Sequence, residues 1–439
     1  MNIFKNNDLI FSSILGFFAR ALAVGLSFLM SVVIGRVLGV TESGYFFLAF
    51  NVLTFLAVFS RLGLDNTVLR FTGSAFAEKD WAVVRGVLVR AVLIVCITSS
   101  VISSALYFFR EFLAGSVFFK PELAPMLGIM APGIVSVSLL AIIGVAFQGL
   151  RRLIASVFFS NIVINFLLLA GLLFLGVSSA EQSAWVYTVS ACISLFAGFW
   201  VLIGALGKEG RAPSWSDIFH SCLPLWLVTL MSQLIQFSGQ FVAGGLLNAE
   251  AVAQLAAAQR TAMLISFILT VVNLVVAPRF AAMYKQGALQ DMESLALASV
   301  RLMLFCSLPA LAVMLVFPTA LMELFGAGFE EGRYLLQILA IGQFVNVATG
   351  SVGYLLTMSG HERELGRSVL ISAPVAMLAA FTLVPLWGAV GGAVATSLAI
   401  ILQNLIAVFQ VKKTLGINTL LFWRGSRFFE RASMRAWSK

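Results

Sequence analysis

The sequence predicts an all-α polytopic membrane protein, with twelve transmembrane helices in two six-helix lobes around a central cavity. Composition is the first reason: 60% of the 439 residues are hydrophobic, only 11% are charged, and the mean hydropathy is +1.01. These values lie far outside the range of soluble proteins. The second reason is patterning, because a transmembrane helix requires about 20 mostly apolar residues. Most of the chain falls into such runs, which short polar breaks separate.

Twelve apolar runs give the twelve predicted spans. In order, they cover approximately residues 10–38, 44–62, 83–109, 123–149, 153–176, 182–206, 218–247, 250–278, 295–325, 332–358, 366–386 and 388–411. Proline interrupts several runs, as at Pro132 and Pro309, which a bundle tolerates because neighbouring helices satisfy the freed backbone groups. The first run lacks a small-residue cleavage site, so we interpret it as a retained span rather than a signal peptide.

Lysine and arginine fall mainly on one face of the predicted bundle. When the loops are assigned alternately from the N-terminus, 19 basic residues lie on the first face. The second face has four: Arg36, Arg110, Lys120 and Arg333. Because cytoplasmic loops carry the excess of Lys and Arg, both termini are predicted to be cytoplasmic. An even number of spans agrees with this orientation.

The second half of the chain repeats the pattern of the first. The stretch Gly35–Phe71 returns about 209 residues later as Gly244–Phe280. The arginine pairs that coincide are Arg70 with Arg279 at an offset of 209, and Arg90 with Arg301 and Arg152 with Arg363 at an offset of 211. Six helices per copy is an even number, so the copies should share one orientation about an axis along the membrane normal.

Three regions follow from the repeat. Residues 1–207 form an N-terminal lobe with spans 1–6, and residues 208–413 form a C-terminal lobe with spans 7–12. Residues 414–439 are basic and contain interleaved aromatic residues. This composition favours an amphipathic cytoplasmic tail along the inner leaflet, and a frayed basic tail is the alternative.

The predicted spans contain arginine but no acidic residue at mid-membrane depth. Every Asp and Glu can be placed in a loop or at a helix end. Arg20 in span 1 and Arg260 in span 8 have apolar surroundings, and Arg61 lies near the inner end of span 2. A lone arginine in hydrocarbon is expensive and generally faces an interior or a water-filled cavity. We therefore expect these arginines to bind an anionic substrate, with interhelical hydrogen bonding as the alternative.

Depth and periodicity add further candidates. Asn51 occupies the repeat position equivalent to Arg260, which lies close to the middle of the ~30 Å hydrocarbon core. Polar residues on one face of span 7 are either a wall for sugar hydroxyls or interhelical hydrogen-bond partners: Gln233, Gln236 and Gln240. Arg90 and Arg301 lie nearer the cytoplasmic ends of spans 3 and 9, where interfacial anchoring is favoured, and are secondary candidates.

Enzymatic chemistry finds little support in the sequence. No phosphate-binding loop of the GxxxxGK[ST] type is present, so we expect no ATPase activity. Cys96, Cys192, Cys222 and Cys306 lie in apolar runs without metal-ligand spacing. We therefore expect a transporter without catalytic residues, cofactor or bound metal.

Several motifs resemble those of one transporter family. They are GRVLG at the end of span 1, TESGYF in the following turn, SRLGLDNTVLRF at the cytoplasmic exit of span 2 and LLTMSGHER at the end of span 10. With the 6+6 plan, they resemble the Wzx-type polysaccharide and oligosaccharide flippases of the MOP superfamily. The chain departs from the related lipid II flippases, which usually have two further C-terminal helices, by ending in a basic tail.

The resemblance implies a function and a set of partners. It implies alternating-access flipping of an undecaprenyl-pyrophosphate-linked oligosaccharide to the periplasmic leaflet of the bacterial inner membrane, for polysaccharide biosynthesis such as O-antigen and lipopolysaccharide assembly. A functional monomer is expected in contact with membrane lipids, with a glycan polymerase and chain-length machinery as partners and no nucleic acid. The coupling ion, whether Na⁺, H⁺ or Cl⁻, stays open. The alternative is a MATE-like cation-coupled exporter of drugs or small molecules, which would be expected to use intramembrane carboxylates.

Overall fold

The computed structural model describes the backbone of residues 3–204 and 215–421. Within these ranges it also describes the side chains, except those of residues 3–14, 77, 215–221, 223 and 224. Every regular element in the described ranges is helical. The predicted lobe boundary at residues 207 and 208 lies outside the described residues, as does most of the predicted tail, residues 422–439.

Fourteen α-helices make up the described chain. The first seven are α1 (Ile3–Ser60), α2 (Leu64–Ala77), α3 (Trp81–Phe112), α4 (Leu123–Gly149), α5 (Leu153–Val157), α6 (Val163–Phe174) and α7 (Ala180–Gly204). The others are α8 (Trp215–Leu246), α9 (Ala249–Lys285), α10 (Leu289–Val316), α11 (Pro318–Glu323), α12 (Arg333–Ala348), α13 (Val352–Met358) and α14 (Glu362–Leu415). Two π-helical turns, Leu113–Val117 and Phe158–Ile162, extend α3 and join α5 to α6.

These helices account for twelve membrane spans. In the part of the chain that the structure describes, nine helical segments are long and apolar enough to cross a membrane. Two of them are double spans, because Gly39 (φ 73°, ψ 176°) breaks α1 and Gly388 (φ 59°, ψ −136°) breaks α14. The 32 residues of α8 form one more, about 48 Å long. The all-α, twelve-span prediction is confirmed.

The first compact unit comprises Met1–Gln233, Gly244–Ala253 and Leu324–Gly328. Its central helix is α4, which packs against α1, α2, α3 and α7. In the most apolar 18-residue stretch of α4, 67% of the residues are buried, against 33% in the span that begins at Trp81. Its inner core combines buried side chains of α2, α3, α4, α7 and the start of α8. This unit therefore packs its spans around α4.

The second compact unit comprises Leu234–Ala243, Gln254–Glu323 and Phe329–Lys439. Its α12 has the corresponding role, packing against α10 and α14. Its inner core combines apolar residues of α9, α10, α13 and α14. Each unit thus has its own apolar core.

Three turns have a left-handed residue at matching positions in the two halves of the chain. The matching residues lie 208 or 209 positions apart: Lys79 with Gly287, Phe119 with Gly328 and Arg151 with Gly360. After Lys79 and Gly287, the next amide bonds to the carbonyl five residues earlier, at 2.9 and 3.0 Å. The same bond measures 2.8 Å after both Arg151 and Gly360. This agreement supports the duplication.

The turns correct the register of the repeat. At the turn after α4, the left-handed residues pair Arg152 with His361 rather than with Arg363. The matching helices α3 and α10 begin at Trp81 and Leu289, which lie 208 positions apart. Arg90 and Arg301 lie 211 positions apart, so they are not equivalent either. The offset of 211 was wrong because it matched arginines by identity, whereas a left-handed residue and its hydrogen bonds determine where each helix starts. A shift of two or three residues moves a side chain to another part of the helix surface.

Candidate functional site

Arg20 lies on the protein-facing side of the first span. Large exposed residues of this span recur at helical spacing at Leu15, Phe18 and Leu22. Arg20 is half-buried and lies on the opposite stripe, three residues before Ala23, which is 7% exposed. Its charge therefore points away from the apolar stripe that would face lipid.

Arg260 is the exception in an otherwise enclosed stretch of α9. Every residue from 252 to 259 is buried, as are Thr261 and Ala262, whereas Arg260 is half-buried. It lies eleven residues after the start of α9 at Ala249, a rise of about 16 Å. A charged group is thus placed near mid-membrane depth with part of its surface accessible. Such a residue is a candidate for contact with substrate.

Arg61 forms an ion pair at the inner end of span 2. It occupies the three-residue turn between α1 and α2, and its Nη1 donates to Oδ1 of Asp65 at 3.1 Å. The two side chains are only 17% and 22% exposed. The Nε of Arg61 is buried and has no hydrogen-bond partner among the described residues. Asp65 was not a predicted site residue, and it balances part of the charge that the sequence assigned to substrate binding.

The same turn approaches α8 closely. A Cβ on Gly63 would lie 2.4 Å from the backbone oxygen of Cys222, so only glycine fits at this contact. Beside it, Nε1 of Trp226 donates to the Phe59 carbonyl at 2.9 Å, and the two rings are 5.1 Å apart. The inner end of span 2 therefore packs directly on α8.

The three glutamines of α8 differ in burial. Gln233 and Gln236 are half-buried, whereas Gln240 is 3% exposed. The backbone carbonyl of Gln236 accepts a hydrogen bond from Nε2 of Gln259 at 3.3 Å. The stripe thus becomes more enclosed along the helix. Both roles, a sugar-facing wall and interhelical hydrogen bonding, stay predictions.

The other candidates differ in burial. Asn51 is 6% exposed, while Arg90 and Arg301 are half-buried, and each lies between one buried and one exposed neighbour along the chain. The structure divides the nine predicted residues between the units: Arg20, Asn51, Arg61, Arg90 and Gln233 belong to the first, and Gln236, Gln240, Arg260 and Arg301 to the second. Their roles in binding stay predictions.

Lys120 lies in a loop, as the sequence predicts, but its side chain is buried. Lys120 is 7% exposed, and its Nζ donates to the carbonyls of Gly244 at 2.6 Å and Phe118 at 3.3 Å. Burial lowers the pKa of Lys120, and the nearby Glu122 partly opposes this shift. The lysine ties the loop before α4 to the end of α8. No sequence signal would have found it, because it depends on a contact 124 residues away.

Two acidic residues near the outer turns also have structural partners. Glu42 accepts a hydrogen bond from the Ala180 amide at 2.8 Å, at the start of α7. Glu250 accepts from the Thr41 hydroxyl at 3.1 Å, and these two residues are repeat mates 209 positions apart. In the part of the chain that the structure describes, no group of three His, Cys, Asp or Glu residues could hold a metal ion.

Comparison with known proteins gives two family matches. The polysaccharide biosynthesis protein family matches residues 12–284, more than half of the chain. The MatE family matches residues 224–382. A search of curated proteins found no match.

Solved structures of MOP-superfamily transporters share the fold. An inward-facing multidrug resistance MATE family transporter has a TM-score of 0.71 at 14% identity, covering 89% of this chain and 94% of its own. The lipid II flippase MurJ in an inward closed conformation has a TM-score of 0.71 at 16% identity, covering 93% and 91%. A MOP transporter from Pyrococcus furiosus, described as having a binding pocket of reverse polarity, has a TM-score of 0.66 at 16% identity, covering 92% and 95%. The chain therefore belongs to the polysaccharide biosynthesis protein family and has the multi-pass fold of MOP-superfamily transporters.

Proposed function

We propose that this protein flips an undecaprenyl-pyrophosphate-linked oligosaccharide from the cytoplasmic to the periplasmic leaflet of the bacterial inner membrane. Alternating access moves the substrate, and Arg20 and Arg260 bind its pyrophosphate. Arg61, Asn51 and the α8 glutamines contribute further polar contacts, and Arg90 and Arg301 are secondary candidates. Both termini are cytoplasmic, in accord with the excess of basic residues on that face.

The exposure of Arg260 carries the proposal. It is the only residue between 252 and 262 that is not buried, so a cation is accessible at mid-membrane depth. Arg20 supports it from the protein-facing stripe of the first span. The planar guanidinium suits bidentate contacts with phosphate oxygens. Arginine at these two positions therefore favours an anionic lipid head group over a cationic drug.

The membrane potential supplies part of the energy in this proposal. A pyrophosphate carrying about two negative charges gains roughly 5 kcal/mol when it moves outward through ~100 mV, inside negative. The acidic residues in the described ranges lie near helix ends or breaks, and net electrogenic transport needs no buried carboxylate. Coupling to Na⁺, H⁺ or Cl⁻ is the alternative energy source. We further propose a functional monomer that hands its product to a glycan polymerase and chain-length machinery.

A MATE-like exporter of cationic drugs or small molecules is the second candidate. The observation that favours it is the equal structural similarity to a MATE family transporter, together with the MatE family match over residues 224–382. This function would require cation binding at a carboxylate. Asp65 is the half-buried candidate, and its ion pair with Arg61 at 3.1 Å argues against that role.

A reconstituted flipping assay tests the proposal. Proteoliposomes containing a lipid-pyrophosphate oligosaccharide would be compared for the wild type, Arg20→Gln, Arg260→Gln and the double variant. Because charge-assisted hydrogen bonds contribute about 1.5–3 kcal/mol each, each single variant should slow flipping about 10-fold or more. Arg333→Gln is the matched control, since Arg333 is exposed beside the Tyr334 ring at the start of α12.

Two results would reject the proposal. The first is normal flipping by the correctly inserted double variant. The second is extrusion of cationic dyes with no transport of the lipid-linked glycan, which would establish the exporter function instead. The energy source is tested separately by measuring the flipping rate under an imposed membrane potential. A rate that does not respond to the potential would exclude electrogenic uniport and would favour coupling to an ion.

A further inference from the structure

A cavity lies beneath the turn between α4 and α5 in the first unit. Its volume is about 410 Å³, and its lining residues are Arg151, Arg152, Leu153, Ile154, Ala155, Phe158 and Phe159. The arginines are exposed, and neither forms an ion pair with a described residue. Ile154 and Phe158 are 42% and 43% exposed and lie four residues apart, so they share a helix face. The cavity thus combines two cations with an apolar wall.

The local charge is uncompensated along the chain. Between Glu122 and Glu181 the sequence contains no acidic residue, and its only basic residues are Arg151 and Arg152. The charges of the equivalent turn in the second half are balanced. There, α14 begins with Glu362, Arg363 and Glu364. Arg367 also forms an ion pair with Glu364 at 2.8 Å. The excess positive charge is therefore a property of the first copy and not of the shared turn.

The backbone at Arg151 is strained in a way that the second copy avoids. Arg151 has a φ of 59°, whereas the matching residue in the second half is Gly360 with a φ of 77°. Glycine adopts this left-handed conformation without steric cost, and arginine does not. The turn therefore carries a steric cost at Arg151 that glycine avoids in the second copy. The π-helical turn Phe158–Ile162 beside the cavity is a second irregularity of a kind frequent at functional sites.

The chemistry of the lining identifies an amphipathic anion. Paired guanidinium groups suit phosphate oxygens, and a soluble phosphate would leave the exposed face of Ile154 and Phe158 unused. We propose that the cavity binds a glycerophospholipid with an anionic head group, its phosphate on Arg151 and Arg152 and its acyl chain along Ile154 and Phe158. The turn lies on the face with the excess of Lys and Arg, where anionic lipids attract basic residues. This lipid site is independent of the transported substrate.

Lipid binding to the purified protein tests the site. Native mass spectrometry in detergent would measure retention of phosphatidylglycerol and phosphatidylcholine by the wild type and by the double variant Arg151→Gln and Arg152→Gln. The wild type should retain phosphatidylglycerol preferentially, and the double variant should bind it about 30-fold more weakly. The matched control is Arg363→Gln with Arg367→Gln at the equivalent turn, which should bind phosphatidylglycerol as the wild type does.

Arg151→Gly separates binding from folding. Glycine relieves the left-handed conformation, so this variant should unfold at a higher temperature while it loses affinity for phosphatidylglycerol. The proposal is overturned if the double variant retains phosphatidylglycerol normally, or if the wild type retains phosphatidylcholine equally well. It is also overturned if glycerol phosphate displaces the lipid at equal concentration, which would indicate a simple phosphate site, or if only an isoprenyl pyrophosphate binds, which would indicate a substrate site.

Discussion

At the three matched left-handed turns, the first copy of the repeat carries Lys79, Phe119 and Arg151, and the second copy carries glycine at each equivalent position. The hydrogen bonds of the turns are nevertheless the same after Lys79 and Arg151 as after their mates. The helix arrangement therefore imposes the conformation, whichever residue is present. What differs is the backbone strain and the side chain, which is charged in the first copy at Lys79 and Arg151.

Buried positions show a second kind of difference. Lys120 and its mate Phe329 are 7% and 0% exposed, so one position holds a cation in one copy and a ring in the other. At mid-membrane depth, Asn51 is buried in the first copy and Arg260 is half-buried in the second. Equivalent backbone positions thus carry different chemistry. Exchanging residues between the copies is the direct way to find out which differences matter.

The largest expected effect is at Gly44, whose mate is Ala253. A Cβ on Gly44 would lie 2.0 Å from the Ala249 carbonyl oxygen, so Gly44→Ala must push two helices apart. We expect a loss of about 3 kcal/mol in the free energy of unfolding, the upper range for overpacking. Thermal unfolding in detergent would measure it.

The reciprocal exchange is the control for this contact. Ala253 is fully buried within α9, and Ala253→Gly removes one methyl group without creating a clash. It should cost about 1 kcal/mol through helix propensity. Equal losses for the two exchanges would show that the close approach at Gly44 does not constrain the fold.

The next effect concerns transport. Arg260→Asn gives the second copy the residue found at Asn51 in the first, and should slow flipping about 10- to 100-fold if the guanidinium binds phosphate. Asn51→Gln keeps a neutral amide in the first copy and should slow flipping much less. The flipping assay measures both variants. Comparable flipping rates for the two variants would show that transport does not depend on having arginine at position 260 and asparagine at position 51.

The sequence predicted the fold better than the site. Hydropathy and the bias of Lys and Arg were enough for twelve spans, because a bilayer requires long apolar helices. Turn geometry was not visible: matching arginine with arginine misplaced Arg152 by two residues, since left-handed residues can be arginine as well as glycine. The Arg61–Asp65 pair could be read from the i, i+4 spacing. The burial of Lys120 depends on a distant carbonyl that no local pattern contains.

A smaller effect is expected at the left-handed residues themselves. Lys79→Gly should stabilise the protein by about 1 kcal/mol, because glycine removes the steric cost of a φ of 61°. Gly287→Lys in the second copy should destabilise it by a similar amount, since its φ is 70°. Unfolding in detergent would measure both changes. Destabilisation by Lys79→Gly would show that the lysine side chain makes a contact worth more than the strain.

The smallest effect at neutral pH is expected at Lys120. Lys120→Met removes the hydrogen bonds to Gly244 and Phe118 but also removes a buried charge. These two changes oppose each other, so the free energy of unfolding should change by about 1 kcal/mol or less. The pH dependence of this difference is more informative than its size.

Burial lowers the pKa of Lys120 below its ordinary value of 10.5, so the folded protein releases the proton more readily than the unfolded chain. Between the folded and unfolded pKa values the unfolded chain binds more protons, and stability rises with pH. The wild type should therefore gain stability relative to Lys120→Met as pH increases from neutral to 10.5. Glu122→Gln removes the charge that opposes the shift and should steepen this gain. If the difference in free energy of unfolding between the wild type and Lys120→Met stays constant or falls as pH rises, Lys120 remains hydrated in the folded protein. Lys120 and Phe329 would then be equivalent in chain position but not in burial.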